Sequence, residues 1–133
     1  MTDALGFQPD PVVRNRDLTI GCIGAGMIMA ECHLAAYAEA GFKVAAIASR
    51  SKARAQAVAD RWQIPVVHDT PEALMADAAV QILDIAYPPD QQPGLIMAAL
   101  KQPHIKAILA QKPLALTLTG AIALRDAAAA AGK

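Results

Sequence analysis

Five short apolar runs recur along the chain, and each is followed by a more polar stretch with helix signals. The first run, Leu18 to Ile23, breaks into Gly24-Ala25-Gly26, and a helical stretch follows from about Ile28 to Ala40. Gly41 stands where a helix-ending glycine is expected. The second run, Lys43 to Ala48, is apolar almost throughout, as befits a parallel strand covered on both faces. Ser51 is placed to cap a helix from Lys52 to about Trp62. Ile64 to Val67 reads as a short third strand. Thr70-Pro71-Glu72 is a helix start, with a hydroxyl cap, a first-turn proline and an acid near the positive end, and that helix ends near Asp77. The fourth strand is Ile82 to Ala86, followed by the loop Tyr87-Pro88-Pro89-Asp90 and a helix from about Pro93 to Leu100. The fifth is Ala107 to Ala110, followed by Gln111-Lys112-Pro113. A last helix runs from about Leu118 to Ala131, capped by Thr117 and stopped at Gly132.

Strands alternating with helices at this spacing predict right-handed crossovers and a doubly wound parallel α/β sheet. Its 133 residues suit one domain, read here as residues 18–133 behind a polar extension at 1–17. Apolar residues make up 55% and charged ones only 18%, which excludes a disordered or solvated tail. The formal net charge is zero, which argues against a general electrostatic grip on nucleic acid. No apolar run is long enough to span a bilayer, and the N-terminal stretch lacks a signal-type segment, so no membrane partner and a cytoplasmic location are expected. Cys22 and Cys32 are expected as small buried hydrophobes, with no disulfide or metal site.

The glycine turn carries the first candidate chemistry. A strand, a Gly-x-Gly turn and a helix form the first half of a dinucleotide-binding, or Rossmann, unit. Gly24 permits the tight turn, and Gly26 lets the backbone approach a pyrophosphate without a Cβ in the way. The free N–H groups of the next helix then face the anion, so Gly24, Ala25, Gly26, Met27 and Ile28 are the candidate cradle. The third small residue of that fingerprint falls on Met29 instead. Ser49 and Arg50 end the second strand, where folds that prefer NAD place an acid on the ribose hydroxyls. A hydroxyl and a guanidinium suit a 2′-phosphate, so NADP is favoured over NAD, although Arg50 stacked on adenine would serve either cofactor. Lys52 and Arg54 read as the exposed side of a helix. Lys112 lies at the carboxyl end of a strand, the end at which open α/β sheets bind ligands.

Four stretches go further. His33-Leu34 and Tyr37 follow the glycine turn, Ala-Ser-Arg-Ser spans 48 to 51, Asp-Ile-Ala-Tyr-Pro-Pro spans 84 to 89, and Gln111-Lys112-Pro113 ends the fifth strand. In this order and spacing the chain from Leu18 onward resembles the amino-terminal half of the Gfo/Idh/MocA oxidoreductases. The family usually has Glu-Lys-Pro where this chain has Gln111, and Thr-Pro-Asn where it has Tyr87 and Pro89.

The resemblance implies hydride transfer between NAD(P) and a sugar, polyol or related hydroxyl or keto compound. It places Lys112 near the nicotinamide ribose and the reacting oxygen as the candidate catalytic residue. It makes Ala86, Tyr87, Pro88 and Pro89 the wall beside the nicotinamide end and adds Gln111 and Pro113 to the cofactor site, with a cis bond at Pro113 and a structural role for His33. It also implies a second domain, so the chain, ending at Lys133, is expected to be a cofactor-binding half. Such a half is expected to lack turnover by itself and to self-associate along the fifth strand's free edge. The competing reading is a non-catalytic dinucleotide-binding sensor; the Lys-Pro turn argues against a methyltransferase-like fold. Asp84 should be buried, with no partner identifiable, and His68, His104 and Trp62 stand without a constellation.

Overall fold

The structure is a computed structural model, and it describes Gly6 and residues 12–133. Most of the polar extension therefore lies outside the described residues. Residues 12–17 form neither helix nor strand, and the Arg16 guanidinium sits 4.5 Å from the Phe42 ring centroid.

Five strands form one parallel sheet: β1 (Ile20–Ile23), β2 (Val44–Ala48), β3 (Val66–His68), β4 (Ile82–Ile85) and β5 (Ala107–Ala110). Their order is β3-β2-β1-β4-β5, which puts the glycine-bearing strand at the centre. This is the doubly wound architecture expected from the alternation, and the cause is visible in the core. Residues along β1 alternate between two apolar clusters. Ile20 and Cys22 pack with Met29, Leu34, Ala55 and Val58, whereas Ile23 packs with Leu74, Leu83, Ile96 and Leu124. One cluster lies under the helices that follow β1 and β2, the other under the three later helices.

Helix α1 starts π-helical, Ile28–His33, and continues as α-helix through Leu34–Ala40. The Leu34 N–H reaches back to the Met29 carbonyl, one residue further than in an α-helix. Met29 is fully buried. A long side chain at the position that close packing reserves for glycine fits a helix whose first turn is widened. Gly41 closes α1 at φ 73°. Cys32 faces solvent on the side of α1 turned from the sheet, so the expectation of two buried cysteines holds only for Cys22.

The remaining helices are α2 (Lys52–Trp62), α3 (Pro71–Ala76), α4 (Gln92–Leu100) and α5 (Leu118–Ala130). Ser51, Thr70 and Thr117 each accept a backbone N–H from the first turn of α2, α3 and α5. The third strand sits two residues later at its start than expected. Ile64 instead closes α2, its N–H bonded to the Ala59 carbonyl at 2.9 Å, and Pro65 has no N–H to give a neighbour.

Candidate functional site

The carboxyl ends of the three central strands are tied together by backbone. The Gly24 N–H donates to the Ala48 carbonyl at 2.8 Å, and the Ala86 N–H to the Ile23 carbonyl at 2.9 Å. A cleft of about 420 Å³ opens above these ends. It gathers Gly24, Ala25, Gly26, Ser49, Arg50, Ala86, Tyr87 and Pro88 from the sequence-derived set, and adds Ser51 and Arg54. Arg54 is exposed, as expected, and at the α2 N-terminus it also borders the cleft. Lys52 does stay outside, paired with Asp69. Met27, Ile28 and the 111–113 turn do not line this cleft.

Gly24 is needed twice over. Its φ is +119°, and a Cβ there would stand 2.6 Å from the Ala86 carbonyl oxygen. Gly26 is different: a Cβ on it would meet nothing within 4 Å, so only an incoming group could require its absence. The α1 N-terminus points the same way. No side chain caps it, as none caps the start at Gln92, while α2, α3 and α5 each carry a hydroxyl cap. Its first N–H groups are left for an anion. The residues present thus fit the pyrophosphate of a dinucleotide.

Arg50 and Tyr87 meet across the cleft. The Arg50 backbone N–H donates to the Tyr87 hydroxyl at 3.1 Å, and the guanidinium lies 5.5 Å from the ring centroid. Burial raises the Tyr87 phenol, an effect opposed by the Arg50 N–H and charge. Beyond this pair lies a second cleft of about 420 Å³, walled by Pro71, Glu72, Gly94, Leu95 and Ala98. No carboxylate lines the first cleft, and neither Arg50 nor Arg54 has an ion-pair partner among the described residues.

The 111–113 turn is held by a separate polar network. Gln92 is wholly buried; its amide donates to the carbonyls of Gln111 (2.6 Å), Pro113 (3.3 Å) and Leu114 (3.4 Å). Its own carbonyl accepts the Gln111 N–H at 3.0 Å. The Gln111 amide donates to His33 Nε2 at 3.0 Å, and Gln111 Oε1 accepts the Lys112 N–H at 2.9 Å. The other His33 nitrogen, Nδ1, donates to Asp84 Oδ2 at 2.7 Å, and the Tyr37 hydroxyl donates to the same oxygen at 2.6 Å. These partners fix the Nδ1–H form of His33, since Nε2 must accept. Burial first, and donation to Asp84 second, push the Tyr37 phenol well up. Burial also raises the Cys22 thiol, whose residue pairs with Asp84 in the β1–β4 register. Lys112 itself is exposed, and the Lys112–Pro113 bond is cis.

Sequence reading left Asp84, His68, His104 and Trp62 without partners. Asp84 has His33 and Tyr37, His68 Nε2 lies 2.9 Å from Asp77, His104 Nε2 2.9 Å from the Met75 carbonyl, and Trp62 donates to the Ala30 carbonyl. No group of His, Cys, Asp and Glu that could hold a metal occurs among the described residues. Nor is any described helix long and apolar enough to cross a membrane.

No curated protein matches the sequence. Among solved structures, the 3-ketoreductase KijD10 from Actinomadura kijaniata, in complex with NADP and TDP-benzene, is 31% identical with a TM-score of 0.77, covering 86% of this chain and 35% of its own. An oxidoreductase from Agrobacterium radiobacter, in complex with NAD+, L-tartaric acid and magnesium, is 28% identical with a TM-score of 0.78, covering 86% and 33%. The super-repressor mutant of Gal80p from Saccharomyces cerevisiae, 21% identical with a TM-score of 0.74 over 86% and 32%, shares the fold. The chain thus spans about a third of the length of these structures. A family model described as the oxidoreductase family, NAD-binding Rossmann fold, matches residues 18–133. The chain belongs to the Gfo/Idh/MocA oxidoreductase family and carries its NAD-binding Rossmann fold.

Proposed function

We propose that this chain binds NADP(H) in preference to NAD(H), as the cofactor-binding part of an oxidoreductase acting on a sugar, polyol or related hydroxyl or keto compound. One observation carries the preference: Arg50 and Arg54 line a cleft without carboxylates, and neither has an ion-pair partner among the described residues. A guanidinium offers a fixed fork of donors to phosphate oxygens. In this reading the pyrophosphate lies on Gly24 to Ile28, the 2′-phosphate meets Ser49 and Arg50, and the adenine enters the second cleft. Ala86, Tyr87 and Pro88 form the wall that leads toward the 111–113 turn.

When bound, the nicotinamide gives or takes a hydride. Lys112 is proposed to hold the substrate's reacting oxygen and to take or return its proton at Nζ. Gln111 and Pro113 would set where that lysine stands. The hydroxyl or keto substrate class draws support from the 3-ketoreductase among the similar structures. A cytoplasmic location belongs to the same reading, in keeping with two free cysteines. So does self-association, because β5 is an edge strand whose Leu109 is half exposed, and Leu116 and Leu118 are bare as well.

Fluorescence titration of NADPH and NADH tests the cofactor reading. The wild type is expected to bind NADPH more tightly, and Arg50→Ala to lose about 1.5–3 kcal/mol of NADPH binding, the worth of a hydrogen bond to a charged group. Equal affinities in the wild type would overturn it.

A further inference from the structure

Arg50 sits at the exposed end of β2, where an arginine would ordinarily sample many rotamers and lose them on meeting a ligand. Here it is met at two points by one residue from the other side of β1. The Tyr87 hydroxyl takes the Arg50 backbone N–H at 3.1 Å, and the Tyr87 ring faces the guanidinium at 5.5 Å. That separation lies within the range for attraction between a cation and an aromatic face. Tyr87 presents its ring to the guanidinium, and the only hydrogen bond of Arg50 to another side chain among the described residues runs from its backbone N–H, so the side-chain N–H groups stay available. No carboxylate lines the first cleft among the described residues, and Glu72 of the second cleft, which Arg50 also borders, makes no ion pair with it. Tyr87 also borders both clefts, so a ligand reaching from the glycine turn to the far cleft must pass this pair.

We propose that Tyr87 is the specificity-determining residue at the adenosine end: it presets Arg50 by backbone and face, so that the guanidinium edge meets a 2′-phosphate already ordered. The proposal rests on the NADP(H) reading above. It assigns the selectivity to a pair rather than to Arg50 alone, and it makes the ring the active part of Tyr87.

The test is calorimetric titration of NADPH and NADH into the wild type, Tyr87→Leu, Tyr87→Phe, Arg50→Ala and the Arg50→Ala/Tyr87→Leu double variant. Tyr87→Leu should weaken NADPH by about two- to fivefold, the range for an exposed cation–aromatic contact. NADH should change by less than that, and Tyr87→Phe should keep most of the preference. In the Arg50→Ala background, Tyr87→Leu should cost NADPH nothing further, because its effect runs through Arg50. If Tyr87→Leu weakens both cofactors alike, leaves both unchanged, or adds in full to Arg50→Ala, the role of Tyr87 is overturned while the cofactor reading stands. If the wild type itself shows no preference for NADPH, the cofactor reading fails and takes this inference with it.

Discussion

The two sides of β1 are built on opposite plans. On the β2 side the polar groups are left waiting: an uncapped helix start, a glycine with open space before it, and two arginines with no ion-pair partner among the described residues. On the β5 side the polar groups are nearly all used. Gln92, Gln111, His33, Asp84 and Tyr37 satisfy one another and the turn that carries Lys112, leaving one buried orphan, Asp84 Oδ1. The difference teaches where ligand energy and where folding energy reside. Unsatisfied donors are favourable only when a ligand arrives, whereas a buried closed network contributes in the empty protein.

Substitutions can break this contrast at either end. The largest effect is expected from Gln92→Ala, which strips a donor from three carbonyls at once and leaves the Gln111 N–H only the Ile85 carbonyl. Unfolding in urea should show a loss of about 3 kcal/mol, the upper range for groups left unsatisfied. Cofactor affinity at the glycine turn should fall far less, and a loss of binding without a loss of stability would erase the distinction. Gly26→Ala should do the reverse. Its φ lies outside the left-handed region and its Cβ would touch nothing, so stability should hold or rise by about 0.4–1 kcal/mol. NADPH affinity should nevertheless drop at least about tenfold, or about 1.4 kcal/mol, as the methyl obstructs the pyrophosphate.

The smallest effect concerns acid. The Ala79 N–H first, and His68 second, hold the Asp77 carboxyl below the usual aspartate range. A carboxyl lowered in the folded state adds stability above its unfolded pKa, and loses it as pH falls through the folded value. Comparing wild type with Asp77→Asn, the gap should be present near pH 6, shrink below about pH 4, and stay under about 1 kcal/mol throughout. A gap that grew with acid would reverse the assignment.

Much of this was legible beforehand because local chemistry dictated it. Hydroxyl caps at Ser51, Thr70 and Thr117, the αL glycine at 41 and the all-apolar β2 each say what the backbone does next. What stayed hidden depends on pairs distant along the chain. Asp84 lies 51 residues from His33 and 47 from Tyr37, and nothing local joins them. A usable sign existed all the same: His33 and Tyr37 are one helical turn apart, so they share a face. Arg54 is exposed as its spacing says, and its place beside the cleft was hidden for a simpler reason. Three residues into α2 it looks like any solvated helix charge, and only the sheet order turns that first turn toward the glycines. The widened start of α1 was hinted at by Met29, a bulky residue where the fingerprint wants a small one.

The chain of contacts from Lys112 to Asp84 also has a direction. The Lys112 amide hydrogen points to Gln111, the Gln111 amide hydrogen to His33, and the His33 ring hydrogen to Asp84. All three dipoles are therefore aligned head to tail, and each polarises the next. A primary amide in the middle of such a file does not readily hand on a proton. Gln111 thus works as a strut that carries orientation and field from the buried acid, through His33, to the backbone of the lysine turn.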